Sequence, residues 1–514
     1  MHQNFLRSIL LISIITTLSF AQTEKISPEN QAVLDRISSN SLKGHLSFIA
    51  SDLLEGRDTP SRGQDIAAEY IAAQFRRAGL EPVGDDGYFQ TANWVQPEGV
   101  TEGFSMTLSR AKMLFKINPK QVSFSSDQAL NIARGLLFKV DYSDKKSWEV
   151  LTEAQVKGKI IFTEIPDYRR EERSKWRELF QAMMTFQNKM RALNPALIVS
   201  IDRIETKGKG IGSRRLIDPE NRPNANAAQP LLMIHDPKIV KMFDAMKIGN
   251  SFARLSLNVP AVNEKPVKLR NVIGLLRGSD PVLKDTYVMV TAHYDHIGIQ
   301  ANCAEKDCIN NGANDDGSGT VSVIELANAL AARTVKPKRS IIFMTVFGEE
   351  KGLLGSRYYG RHPIFPIEKT VADVNLEQVG RTDDSDGSQV NRASMTGFDF
   401  SDVGEIFKAA GELTGIAVVK HPKNSDAFFG RSDNQALADQ GVPAHTICVA
   451  FEYPDYHGLG DHWDKVDYDN MARTDKMVAL GLLMIAEKAE APKWNEANPK
   501  TARYVKAWKD RQGK

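Results

Sequence analysis

Imidazoles and carboxylates fall in short clusters where apolar segments end. His293-Tyr294-Asp295-His296 closes one segment, Gly348-Glu349-Glu350 a second and Asn375-Leu376-Glu377 a third. Gly312-Ala313-Asn314-Asp315-Asp316-Gly317-Ser318-Gly319 leads into an apolar stretch, and Tyr456-His457-Gly458-Leu459-Gly460-Asp461 follows a fourth segment. Two histidines with three carboxylates, and no thiolate among them, suit a borderline divalent ion such as zinc, less often cobalt or manganese. One carboxylate of such a set can bridge two ions, leaving each a histidine and a further carboxylate. Two-ion sites activate water and steady a tetrahedral oxyanion. A carboxylate to spare can then act as general base, and the Glu349-Glu350 pair supplies one.

The elements that must position these residues show in the apolar pattern. Residues 287–292, 340–346, 370–376 and 443–451 read as strands, and 320–332 as an apolar-striped helix. Continuous β-branched runs alternating with helices predict an α/β fold whose mixed, mostly parallel central sheet is covered on both faces. Ligands of open α/β sheets bind beyond the carboxyl ends of the strands, which is where the clusters stand. Upstream, residues 65–75 carry apolar positions at helical spacing until Gly79 stops them. Between about 100 and 265 the texture changes to short strands with one helix. Gly158 turns into a strand at 160–162, 169–193 is a charged amphipathic helix, and 197–201 is another strand. The polar loop 207–230 has a basic excess that reads as a solvated face.

Composition sets the outer limits. The 514 residues carry a formal net charge of +2 and 42% hydrophobic residues, enough for a large core and roughly two to four domains. So balanced a charge argues against a nucleic-acid partner, which calls for a basic face. Arg7, the apolar run 9–20 and the small residues Ser19 and Ala21 predict an export signal cleaved after Ala21. The run is shorter than a bilayer span, so the expectation is a periplasmic or extracellular protein with no stable membrane insertion. Three cysteines preclude a Cys-rich zinc site. Cys303 and Cys308, close together in a polar loop, are expected to pair outside the cytoplasm, and Cys448 to be a small core residue.

His293-Tyr294-Asp295, the 312–319 segment, Phe347 to Ser356, Asn375 to Gly380 and Tyr456 to Asp461 together resemble the co-catalytic di-zinc exopeptidases. That family includes bacterial leucine-type aminopeptidases and glutamate carboxypeptidase and, more distantly, glutaminyl cyclase. Each motif alone is weak, but the five stand in the family's order between His45 and Glu487. The resemblance implies two zinc ions per chain. His293 and Glu377 would hold one, Glu350 and His457 the other, with Asp315 between them. It implies hydrolysis of peptide bonds by a zinc-bridging water activated by Glu349, which then passes the proton to the leaving amine. Asp295 would orient His293 as its carboxylate partner. The family's cis peptide after the bridging aspartate is expected at Asp315-Asp316. Glu377 departs from a common aspartate, and Arg431-Ser432-Asp433-Asn434 from a common Ser-Asp-His.

With 1–21 read as the signal, the same resemblance assigns 22–100 with 266–490 to a discontinuous peptidase domain, and 101–265 to a looser match with protease-associated inserts. Residues 491–514 are left as a basic tail that docks or is solvated. The function implied is an aminopeptidase acting on peptides. A carboxypeptidase or dipeptidase of the same family stands beside it, with Arg381, Arg392 and Arg431 as candidate carboxylate partners. A non-catalytic peptide-binding module is the reading from another class, and its mark, a lost ligand or base, is missing. A one-zinc glutaminyl cyclase fits less well, because the full two-metal set is kept. Singly, each motif has an ordinary explanation: a surface histidine, acids at a helix start, or a turn with its cap. Of the other histidines, His445 reads as a core residue, His296 as a possible neighbour of the site and His462 as a residue of its mouth.

Overall fold

Strands β3 (Tyr287–His293) and β4 (Ser340–Val346) are buried at every position, and their Val, Ile, Met and Phe side chains form the centre of the larger unit. This is the pattern of strands covered on both faces. The structure, a computed structural model, describes residues 25–513 apart from 125–127, 173–174, 206, 209, 212–214, 223–230, 301–302 and 304. The expected export signal and its cleavage point lie outside the described residues, as does part of the 207–230 loop.

Along its main path the nine-stranded central sheet also has β1 (Glu81–Pro82), β2 (Asn263–Leu276), β5 (Thr370–Leu376), β6 (Arg392–Met395), β7 (Ala417–Val419) and β8 (Ala444–Cys448), and the strand Phe89–Glu98 pairs with β2 off that path. The main path runs in the order β1-β2-β4-β3-β5-β8-β6-β7. Pairs β4-β3, β3-β5, β5-β8 and β6-β7 are parallel, whereas β1-β2, β2-β4 and β8-β6 are antiparallel. The sheet is therefore mixed, with a parallel centre. Its register sets His293 beside Val346, Thr291 beside Asn375 and Leu376 beside Ile447. The carboxyl ends of β3, β4, β5 and β8 thus reach one edge together.

Helices flank this sheet. In α1 (Ser39–Ile49) the Ser38 hydroxyl accepts the Ser41 N–H. In α2 (Arg62–Ala78) Ser61 accepts from Gln64, and Gly79 ends the helix with a left-handed φ of 78°. In α3 (Gly319–Ala331) nearly every position is buried, against α1, α2 and the central strands. Helix α4 (Val403–Thr414) packs against the long α5 (Tyr468–Glu487), which also lies along α1. The last helix, Ala502–Arg511, is docked rather than solvated: the Tyr504 and Trp494 rings stack at 5.0 Å and join the core that holds Phe429 and Val442.

Contacts divide the chain into one unit of residues up to Phe89 and from Asn271 on, and another from Gln90 to Arg270. The second unit has its own nine-stranded sheet and its own cores, one around Phe162, Val199 and Leu255, one around Trp148, Phe186 and Met190. Its main helix is Trp176–Ala192, later than the charged pattern from 169 suggests. Trp176 is the first large apolar residue of that stretch, and Tyr168 packs its ring against Trp176 and Phe180. Among the described residues no helix is long and apolar enough to cross a membrane.

Candidate active site

His293 is the last residue of β3 and is fully buried. Its Nε2 stands 3.4 Å from Asp315 Oδ1, while the other Asp315 oxygen is 3.1 Å from His457 Nε2. Asp315 therefore lies between two histidines that the chain separates widely. His457 Nε2 is also 3.2 Å from Glu350 Oε1, and His296 Nδ1 is 2.9 Å from the same oxygen. Potential donor atoms of His293, Asp315 and Glu377 lie within 4.8 Å of one another, as do those of His296, Asp315 and Glu350. All five residues expected as ligands are brought together.

The local backbone explains the convergence. After β4, Gly348 takes a φ of 68°, and the chain turns so that Glu349 and Glu350 face the site before the Leu354–Arg361 helix begins. The Asp315-Asp316 peptide is cis, as expected. Asp316 Oδ2 accepts the His293 N–H at 3.3 Å, and Oδ1 accepts those of Gly319 at 3.0 Å and Gln378 at 3.2 Å. One carboxylate thus ties the end of β3, the start of α3 and the exit of β5. Gly319 is required there, because a Cβ would come within 2.4 Å of Leu376 O.

Asp295, the expected carboxylate partner of His293, faces both that ring and the Glu349 backbone. Its main-chain oxygen is 3.2 Å from His293 Nδ1, whereas its carboxylate is 3.7 Å away and accepts the Glu349 N–H at 3.1 Å. The HYD turn leaves the carbonyl nearer the ring, so the carboxylate positions Glu349. Two further residues hold the site: Arg57, which has no signal in the sequence, and Asp461, the last residue of the Tyr456–Asp461 motif. Buried Arg57 donates to the carbonyls of Tyr294, Ile49, Asn311 and Gly312, and burial lowers its pKa to about 10. Asp461 accepts the N–H groups of Asn314 and Asp315 and the Tyr453 hydroxyl.

The electrostatics call for cations. Burial pushes Glu349 well above the carboxylate range, with Glu377, Glu350 and Asp433 adding to the push against His293. Burial likewise lifts Glu377 to about 7 and Asp433 to about 6. For Glu350, burial and Asp315 are outweighed by His296 and His457, which hold it at about 2. On His293 burial opposes the charge, but Asp295 and Asp315 outweigh it and raise the pKa. His293 Nε2, both His296 ring nitrogens and Glu350 Oε1 are buried without an aligned hydrogen-bond partner. Orphaned donors of N and O type around crowded carboxylates fit divalent zinc, whose bonds to them run about 2.0–2.2 Å.

A pocket of about 230 Å³ opens on this cluster, lined by Glu349, Glu377, Phe428, Arg431, Phe451 and Tyr456 among others. Of the three candidate arginines only Arg431 lines it, lying over the Phe428 ring at 4.5 Å. Arg381 is instead locked between Asp383 and Asp455, and Arg392 is exposed. His462 faces Asp307 at 3.8 Å and is not among the lining residues. His445 is a core residue, bonded to Ser401 and Thr396. Cys303 and Cys308 form a disulfide, and Cys448 is buried. In the other unit Asp202, Glu205 and His235 also group, but Arg170 already supplies their cation by forking onto Asp202 and reaching Glu205.

Residues 271–481 match the profile of peptidase family M28, a span that holds every expected ligand and Glu349. The chain carries an M28 peptidase domain. Over 254 residues it is 28% identical to a probable zinc metalloprotease of Pyricularia oryzae, covering 41% of this chain and 49% of that one. Over 259 residues it is 26% identical to a probable leucine aminopeptidase 2 of Arthroderma benhamiae, covering 45% and 47%. The matches thus span about half the length of these curated relatives. The solved structure of an aminopeptidase from Aneurinibacillus sp. strain AM-1 is similar in fold, with a TM-score of 0.55 at 17% identity over 91% of this chain and 97% of that one.

Proposed function

We propose that the M28 domain is a zinc-dependent exopeptidase, most simply an aminopeptidase, working with two ions. The observation that carries this reading is Asp315, whose two oxygens stand 3.4 Å from His293 Nε2 and 3.1 Å from His457 Nε2. His293, Glu377 and Asp315 would hold one ion, and Glu350, His457 and Asp315 the other. Bound there, zinc would polarise the scissile carbonyl and lower the pKa of the attacking water.

The protein's own residues supply the rest. Glu349 lies beside both clusters on the pocket wall, and Asp295 holds its backbone in place. It takes the proton of the attacking water and delivers it to the leaving nitrogen. A carboxylate whose pKa burial has raised is a better match for proton transfer near neutrality than an ordinary one. The carboxylates at the floor of the pocket favour a free substrate amine, and Phe428 and Phe451 favour an apolar side chain. The names of the relatives point the same way. The Cys303–Cys308 disulfide is consistent with work outside the cytoplasm. The unit Gln90–Arg270, read as a protease-associated-like insert, contributes none of the residues assigned here.

A second reading, a carboxypeptidase or dipeptidase, is favoured by Arg431, which lines the pocket with no carboxylate in ion-pair range among the described residues. Aminoacyl-anilides compared with N-blocked dipeptides, with and without a chelator, decide between them. The aminopeptidase reading expects turnover of the anilides alone, abolished by the chelator. Cleavage confined to N-blocked dipeptides would replace it with the second reading.

A further inference from the structure

We infer that His296, through Nδ1, is an additional ligand of the ion held by Glu350 and Asp315, alongside His457. The inference rests on the two-ion reading and extends it to a residue outside that ligand set. His296 Nδ1 and Glu350 Oε1 are 2.9 Å apart, yet both are buried atoms without an aligned hydrogen-bond partner. The ring's N–H direction misses the oxygen, so the short distance is not a hydrogen bond drawing the two groups together. Donors sharing one zinc ion, with bonds of about 2.0–2.2 Å, stand roughly 3–3.5 Å apart and point at a common centre rather than at each other. His296, Asp315 and Glu350 are gathered about one such centre, with donor atoms within 4.8 Å of one another.

The surroundings fix the ring in that pose. His296 is 0% exposed, and Gly312 lies against it so closely that a Cβ there would come within 2.4 Å of His296 Cγ. A buried imidazole with neither nitrogen bonded is costly unless something not yet counted satisfies it. His457 differs: its side chain is 39% exposed, its φ is 53°, and its ring centroid stands 5.7 Å from that of His296. The ion would thus have a buried imidazole that stays and an exposed one that substrate or solvent can displace. Retention of this ion then depends more on His296 than on His457.

The test uses the full chain. Metal content of the zinc-loaded wild type comes first, and two ions per chain are expected; a stable single ion would sink the two-ion reading and this inference with it. Given two ions, zinc K-edge absorption of the wild type counts imidazoles. Three per two ions, from His293, His296 and His457, is the expected result, and two would overturn the inference while leaving the two-ion reading intact. Chelator competition on His296→Asn, which keeps a hydrogen-bond donor but loses the ligand, should show one ion bound at least ~100-fold more weakly. His457→Asn should weaken it less. The reverse order, or wild-type affinity in His296→Asn, would count against the assignment. The absorption measurement needs no variant and stands even if one fails to fold.

Discussion

The proposed function gives the neighbours Glu349 and Glu350 opposite tasks, and their surroundings separate them. Glu350 sits against His296 and His457 and stays ionised, whereas Glu349 is crowded by Glu377, Glu350 and Asp433 after burial has already raised it. Glu349→Gln should keep both ions, measured by metal analysis, and lose about 10²–10⁴-fold in kcat. Asp295→Ala should divide two roles that one residue plays. The main-chain oxygen facing His293 survives the substitution, but the carboxylate holding the Glu349 N–H does not. Zinc content should therefore stay near wild type while kcat falls about 10–100-fold. At this scale the convergence of the proposed ligands was legible because His, Asp and Glu recur at strand ends. Arg57 was not, since its four acceptors are main-chain carbonyls, which leave no trace in side-chain types.

Elements were legible wherever burial on both faces enforces an unbroken apolar run. Strands β4 and β5 have the bounds the pattern predicts, and β8 is the inner part of its longer run. The helix ending before Gly79 shows equally well, because its stop is a left-handed glycine. Strand β6 and the edge strand β7 are short and carry no alternation that would announce them. One histidine of β8 makes this element pH-sensitive. Burial lowers the pKa of His445 to about 4, against the bond from its ring to Thr396 O. The unfolded chain, with an ordinary value near 6.5, binds more protons between those two points, so stability rises with pH across that window and is lost on acidification through it. The loss amounts to at most about 3 kcal/mol. Urea unfolding from pH 7 to pH 4 should show that slope, and His445→Gln should flatten it while lowering stability at pH 7.

For the molecule as a whole, two features were hard to foresee. The division between units falls at Phe89–Gln90 and Arg270–Asn271, inside the strands Phe89–Glu98 and Asn263–Leu276, so no Gly- or Pro-rich linker marks either crossing. The C-terminal tail, basic and read as either docking or solvated, proves to dock, with Trp494 and Tyr504 in the core of the larger unit. The buried carboxylates of the site also couple function to global stability. Removing zinc leaves Glu349, Glu377 and Asp433 crowded without counter-charge, so chelation should lower Tm by several degrees in a thermal melt. Restored zinc should return it. The most direct test of the two-ion account is a zinc titration of the metal-free full chain, read as turnover of an aminoacyl-anilide. Activity should be absent at the start and reach its plateau at two equivalents, and full activity without zinc, or a plateau at one equivalent, would contradict it.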